Sequence, residues 1–262
     1  MLVSDITDYL ETVAPRHLQE SYDNAGLITG QEDWEIKGVL ISLDTTPAIV
    51  AEAIKRGCNM IVAHHPIIFR GLKKINGKNY VEQTIIDAIK NDIAIYAIHT
   101  NLDNVYANGV NQKIASQLGL INTRILSPKD INEPTIGSGM VGELREPMST
   151  DRFLSFLKTT MKVGCIRHTA LVKPQINTVA LCGGSGSFLI ANAINAQADI
   201  YISADIKYHE FFDADGKIII ADIGHYESEQ YTIELLGELL NSNFSNFAAH
   251  LTNLNTNPIK YY

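Results

Sequence analysis

The sequence predicts an α/β protein made of two similar lobes, and three observations carry that prediction. Short apolar runs of strand length and strand composition alternate with segments of helical periodicity. Two stretches match when offset by 140 residues: Val39-Leu40-Ile41-Ser42 with Val179-Ala180-Leu181-Cys182, Ala53-Ile54 with Ala193-Ile194, and Met60-Ile61-Val62-Ala63 with Ile200-Tyr201-Ile202-Ser203. Three apolar runs end in residues that bind metals: 60–63 runs into His64-His65-Pro66, 93–98 into His99-Thr100-Asn101-Leu102-Asp103, and 218–224 into His225 and Glu229. Strands that alternate with helices form parallel βαβ units, whose right-handed crossovers bring strand ends to one side. Ligands bind beyond the carboxyl ends of such strands. A metal site is therefore expected in the cleft where the two repeats face each other.

In chain order, the first repeat reads as strand 39–42, helix 47–56, strand 60–63, helix 80–90 and strand 93–98. Thr46-Pro47 supplies a cap and a first-turn proline for the first of those helices. The second repeat reads as strand 179–182, helix 187–196, strand 200–203, a helical pattern over 208–215 and strand 218–223. Its first helix opens after Gly183-Gly184-Ser185-Gly186. That glycine run lacks the spacings of known phosphate-binding loops, so it is read as tight packing. The segment 120–177 predicts a strand at 137–144, a helix capped by Ser149-Thr150-Asp151 running to about Met161, and a strand at 169–172. A helix begins at His225 and continues through Tyr231, Ile233, Leu235 and Leu236, and a polar tail runs from Asn253 to Tyr262. Two lobes follow: 1–125 with the HHP and HTNLD loops, and 126–262 with the GHYESE helix. About 40 residues at the end are free to pack back on the first lobe.

Neighbouring residues at a strand end point to opposite faces, so His64 and His65 suit two ions better than one. The alternative makes one a ligand and the other a hydrogen-bonded support. Asp103 offers a carboxylate whose two oxygens can bridge two cations, or else forms a local Asx turn or N-cap. His99 is read as a donor that orients a ligand. His225 and Glu229 stand four apart on one helical face and converge. The alternative is an ordinary helix start with acids near its positive end, which explains Glu227 better. Three imidazoles and two carboxylates exceed what a tetrahedral structural zinc needs, and such zinc prefers cysteine. The set suits two divalent ions, drawn from Zn, Mn, Fe, Co or Ni, with open positions for water or substrate. Lys207 and His209 are candidates for substrate binding or proton transfer. Asp23 and Asn24, in Tyr22-Asp23-Asn24-Ala25-Gly26-Leu27, supply turn chemistry that would line the site.

Composition narrows the classes further. A net charge of −8 argues against a broad nucleic-acid groove, which is usually basic. The N-terminal residues show no basic and apolar leader, and no run of ~18 apolar residues appears, so no membrane association is expected. Cys58, Cys165 and Cys182 form no CxxC pair and read as buried thiols in a reducing compartment. A cytoplasmic location is the expectation.

The five segments Tyr22–Leu27, Ala63–Pro66, His99–Asp103, Lys207–Glu210 and Gly224–Glu229, in this order, resemble the Nif-three-like family. Its bacterial members are commonly named GTP cyclohydrolase 1 type 2 homologues. The resemblance covers nearly the whole chain. It implies two similar α/β lobes, a dinuclear metal site between them and a toroidal homohexamer. By motif position it puts metal ligands at His64, His65, Asp103, His225 and Glu229, the same five residues. Some relatives carry a long insertion between the halves, and this chain resembles the compact form. Relatives often have Trp where this chain has Tyr22. The activity implied is metal-dependent hydrolysis of a nucleotide or related heterocycle; the alternative is a non-catalytic metal-binding or scaffold protein.

Overall fold

The structure is a computed structural model that describes residues 1–244 and 249–262. The chain forms two compact units. The first comprises Met1–Leu102 with Thr232–Pro258, the second Asp103–Tyr231 with Ile259–Tyr262.

The first unit begins with α1 (Val3–Val13), β1 (Gly26–Thr29), β2 (Val39–Ser42), α2 (Pro47–Lys55), β3 (Met60–Ala63), α3 (Tyr80–Lys90) and β4 (Ala94–Ala97). The short helix α4 (Thr100–Asp103) follows at the boundary. Every residue of β2, β3 and β4 is buried, as expected for parallel strands covered on both faces. Their register is parallel, with Val39 opposite Met60 and Met60 opposite Ala94. β1 closes one edge antiparallel to β4. Thr46 caps α2 by accepting the Ile49 N–H, and Pro47 occupies the first turn. The core beside these strands comprises Leu40, Ile49, Ala53, Ile61, Ile85 and Ile95.

The second unit contains α5 (Val110–Gln117), β5 (Ile121–Pro128), β6 (Gly137–Ser149), α6 (Thr150–Thr160), β7 (Arg167–His168), β8 (Gln175–Ser185), α7 (Ile190–Asn195), β9 (Ile200–Ala204), β10 (Ile219–Asp222) and α8 (His225–Glu229). Its six-stranded sheet has the order β5-β6-β8-β9-β10-β7. Val179 lies opposite Ile200 and Leu181 opposite Ile202, the pairing of Val39 with Met60 and Ile41 with Val62 carried forward by 140 residues. The repeat is thus a repeat of strand register. It extends to the edge strand, since β7 pairs antiparallel with β10 as β1 does with β4.

The elements that follow each repeat differ. β5 pairs with β6 in the second sheet. α9 (Thr232–Asn243) and β11 (Ala249–Leu251) belong to the first unit, where β11 adds parallel to β2. The predicted helix from His225 is therefore two helices, broken where the chain leaves the second unit. Other local differences are small. The 208–215 pattern is a 3₁₀ helix, Tyr208–Ala214. The strand expected at 169–172 is reduced to Arg167–His168, after which the Thr169 N–H bonds to the Ile220 carbonyl and its hydroxyl accepts the Ile220 N–H. Cys58 and Cys182 are buried as expected, but Cys165 is exposed. Among the described residues, no helix is long and apolar enough to cross a membrane.

Candidate metal centre

In the first unit, the parallel pairing of Ala63 with Ala97 brings the carboxyl ends of β3 and β4 side by side. His64-His65 and His99 lie just beyond those ends. The His64 and His65 N–H groups still bond to the Ser42 and Leu43 carbonyls, so both residues are held by the sheet. The three rings sit 4.9–5.3 Å apart, centroid to centroid, and each offers a nitrogen within 4.8 Å of the others. His64 is fully buried.

The other ring nitrogens are committed. His64 Nδ1 lies 2.8 Å from the Ile98 carbonyl, His65 Nδ1 2.8 Å from Asp44 Oδ1, and His99 Nδ1 2.8 Å from Asp23 Oδ1. Carbonyl and carboxylate oxygens only accept, so each Nδ1 carries the proton. The neutral ring then holds its lone pair on Nε2. This is the arrangement that metal-binding histidines adopt, with the outer oxygen fixing tautomer and ring orientation.

Asp23 is itself anchored. Its side chain is fully buried, and its Oδ2 accepts from the Thr100 N–H at 3.0 Å and from the Thr100 hydroxyl. Burial opposes its charge, but the bonds and charge of His99, with help from Thr100 and the Asn24 N–H, hold the carboxyl far below the usual range. Asn24 Nδ2 donates to the Ile68 carbonyl at 2.8 Å, tying the Tyr22–Leu27 turn to the segment after His65. The turn thus does structural work at the imidazole cluster, and His99 stands nearly as close to His64 and His65 as they do to each other.

The second unit presents Asp103, His225 and Glu229. Asp103 ends α4, and its carbonyl accepts from Asn111 Nδ2 at 3.0 Å. Asn111 Oδ1 in turn accepts the Gly183 N–H at 3.0 Å, which fastens this loop to the end of β8. His225 and Glu229 meet across one turn of α8, Nε2 to Oε2 at 3.0 Å. A carboxylate oxygen of Asp103 also lies within 4.8 Å of one of Glu229. His225 Nδ1 is held 2.7 Å from Asp205 Oδ2, the same device seen on the other three rings. Burial disfavours the imidazolium at His225, but the charges and hydrogen bonds of Glu229 and Asp205 prevail and raise its pKa to about 11.

The glycine run that ends β8 has a packing role. Gly184 has φ +63°, and a methyl group there would collide with Glu229 Oε1. Its N–H donates to Ser228 Oγ at 2.9 Å, and Ser228 Oγ donates to the His225 carbonyl at 2.8 Å. The absent side chain lets the Glu229 carboxylate lie against the backbone. Cys182, nearby, contributes no thiolate: burial, then the charges of Asp103 and Glu229, push its thiol well up.

Lys207 and His209 are not members of these donor groups. Lys207 is 84% exposed and reaches toward Glu210. The His209 ring packs with Tyr208 and Phe212. Two residues that sequence reasoning left without a role, Asp44 and Asp205, orient His65 and His225. A signal was present for both. Each stands just past the carboxyl end of a strand, and the 140-residue offset aligns Asp205 with His65.

The donor chemistry fits divalent ions. Nitrogen and carboxylate oxygen suit Zn, Mn, Fe, Co and Ni, and no thiolate competes. The profile of the Duf34/NIF3 (NGG1p interacting factor 3) family matches residues 1–258. A Clostridium acetobutylicum protein named GTP cyclohydrolase 1 type 2 homolog is 31% identical over 255 residues, covering 97% of this chain and 93% of its own length. One of the same name from Streptococcus pneumoniae is 34% identical over 247 residues, covering 92% and 90%. Among solved structures, the Staphylococcus aureus hypothetical protein SA1388 superposes with a TM-score of 0.92 at 31% identity, over 100% of this chain and 99% of that one. A Bacillus cereus protein related to NIF3 gives 0.91 at 26% identity, with the same coverage.

Proposed function

This chain belongs to the Duf34/NIF3 family, and from that premise we propose that it is a metal-dependent hydrolase of a nucleotide or related heterocycle. Two divalent ions would be held by His64, His65, Asp103, His225 and Glu229. The observation that carries this reading is the convergence of donors: His64, His65 and His99 bring ring nitrogens within 4.8 Å of one another, and each ring is oriented through Nδ1 by an oxygen acceptor. Bound ions would lower the pKa of water toward neutrality and hold the group under attack.

The chain's own groups have distinct tasks in this scheme. Asp44, the Ile98 carbonyl and Asp205 keep the three ligand rings in one tautomer and orientation. Asp23 does the same for His99, which faces the cluster. Glu229 and Asp103 bring negative charge that offsets the ions. Lys207, on an exposed stem, would hold an anionic part of the substrate, and His209 would move a proton. The name borne by the relatives makes GTP the first compound to try.

One observation favours the second reading, a non-catalytic metal-binding or scaffold protein. Tyr208, Phe212 and Phe188 are exposed aromatic rings on the second unit, the residue type found at interaction surfaces. Self-assembly into a toroidal homohexamer belongs to either reading and rests on the family resemblance. Light scattering at micromolar concentration showing only a 28.9 kDa species would refute it.

The test of function is turnover. Metal-loaded protein should hydrolyse GTP or another nucleotide in a panel, lose activity to chelator and regain it with added metal. Glu229→Gln should be inactive while folded, because it is nearly isosteric but lacks the charge. A panel without turnover under Zn, Mn, Fe, Co and Ni, with ions bound, would move the assignment to the second reading.

A further inference from the structure

Phe69 stands out among the residues around the imidazole cluster. The chain from His64 to Ile67 is buried or half-buried, yet Phe69 is 52% exposed. An isolated exposed aromatic is ordinary on a protein surface. This one is fixed on both sides. The preceding carbonyl, that of Ile68, accepts the Asn24 Nδ2–H bond at 2.8 Å. The Phe69 ring meets the His99 ring edge to face, with centroids 5.7 Å apart and planes at 86°. His99 is in turn held by buried Asp23 at 2.8 Å, and its centroid lies 5.2–5.3 Å from those of His64 and His65. A large apolar ring is thus placed against the donor cluster by polar anchors while more than half of its surface stays open to a ligand.

We propose that Phe69 is the specificity-determining residue of this site, a platform on which the planar heteroaromatic ring of the substrate stacks. The inference rests on the hydrolase reading for the location of the substrate, and it narrows the substrate class to compounds with a flat π-system such as a purine nucleotide. Aromatic faces stack on bases without reading their edges, so Phe69 selects for planarity and not for one base. An anionic chain without a ring would gain nothing from it. The ring needs its place: it pairs with His99 through an edge-to-face contact that an aliphatic side chain would not reproduce.

The probe is the triphosphate of 2-aminopurine riboside, whose fluorescence is quenched on stacking, with inorganic tripolyphosphate as the ring-free control. Both are titrated into metal-loaded protein, and metal content is checked in every variant by elemental analysis. Wild type should quench the probe and bind it more tightly than tripolyphosphate. Phe69→Ala and Phe69→Leu should lose the quenching and weaken the probe roughly five- to hundredfold, the range covered by base stacking on an aromatic side chain. Both should bind tripolyphosphate within about twofold of wild type, and Phe69→Trp should retain the quenching. Quenching that survives in both Ala and Leu variants overturns the proposal, as does an equal loss of probe and tripolyphosphate. Failure of the wild type to bind the probe overturns it too, whatever its metal content. Phe69-dependent quenching without turnover of any nucleotide would leave the platform standing and remove the hydrolase.

Discussion

Replacing Asp44 tests whether the outer carboxylates tune the metal ligands. Asp44 Oδ1 accepts from His65 Nδ1 at 2.8 Å, and its Oδ2 accepts from Thr256 Oγ1 at 2.5 Å. Asp44→Asn preserves both contacts: the amide oxygen still accepts from the ring, and the amide N–H₂ donates to the threonine hydroxyl. Only the charge is lost. A hydrogen bond to an ionised group contributes ~1.5–3 kcal/mol and a neutral one ~0.5–1.5, so the difference is about 1–1.5 kcal/mol. The pair is partly solvated, with 34% of the Asp44 side chain exposed, which places the effect at the low end. The expected loss is about fivefold in metal affinity. Asp44→Ala also frees the ring to rotate and should lose roughly 10–100-fold, the usual cost of removing such a partner. Competition against a chromophoric chelator at a fixed pH of about 8 measures both. Affinities for Zn and Mn within twofold of wild type in both variants would refute the argument. Equal losses in Asn and Ala would show that charge, and not ring orientation, is what Asp44 supplies.

Further outcomes follow from the same geometry. His225 keeps its proton up to about pH 11 in the metal-free chain, so metal must displace that proton. Affinity should rise about tenfold per pH unit between roughly pH 7 and 9, with proton release seen by calorimetry in buffers of different ionisation enthalpy. The sign for the metal-free fold is opposite. A raised folded pKa stabilises fully below the unfolded value of ~6.5 and is lost as pH rises through about 11, so the apo protein should weaken toward alkaline pH while metal binding strengthens. Gly184→Ala should lose metal and destabilise the fold by about 1–2 kcal/mol, because Gly184 has φ +63° and its new methyl collides with Glu229 Oε1; a variant with wild-type metal content and melting temperature would contradict that. Asp103→Ala should lose more metal than His99→Ala if Asp103 bridges two ions, and equal losses by elemental analysis would make His99 a ligand.

Local chemistry in the chain determined the strands and their alignment. Fully buried parallel strands must be apolar throughout, so Val39–Ser42, Met60–Ala63 and Val179–Cys182 are visible as runs, and a 140-residue offset becomes a shared register. The candidate metal ligands are legible for the same reason: a polar cluster that interrupts an apolar run marks a strand's carboxyl end, where parallel sheets place their ligands. Tertiary structure decided what lies far apart in sequence. His99 and Asp23 are 76 residues apart, and His65 and Asp44 are 21 apart. Neither pairing has a periodic signature, because a carboxylate after a strand is as consistent with a turn as with an imidazole partner. The path of the chain after Tyr231, into the first unit as α9 and β11, is likewise invisible locally, since an amphipathic helix specifies that it must be covered but not by what. Glu229 shows both levels at once. Its spacing from His225 puts the two on one helical face, but only the fold, by passing Gly184 beneath it, brings the carboxylate against the backbone.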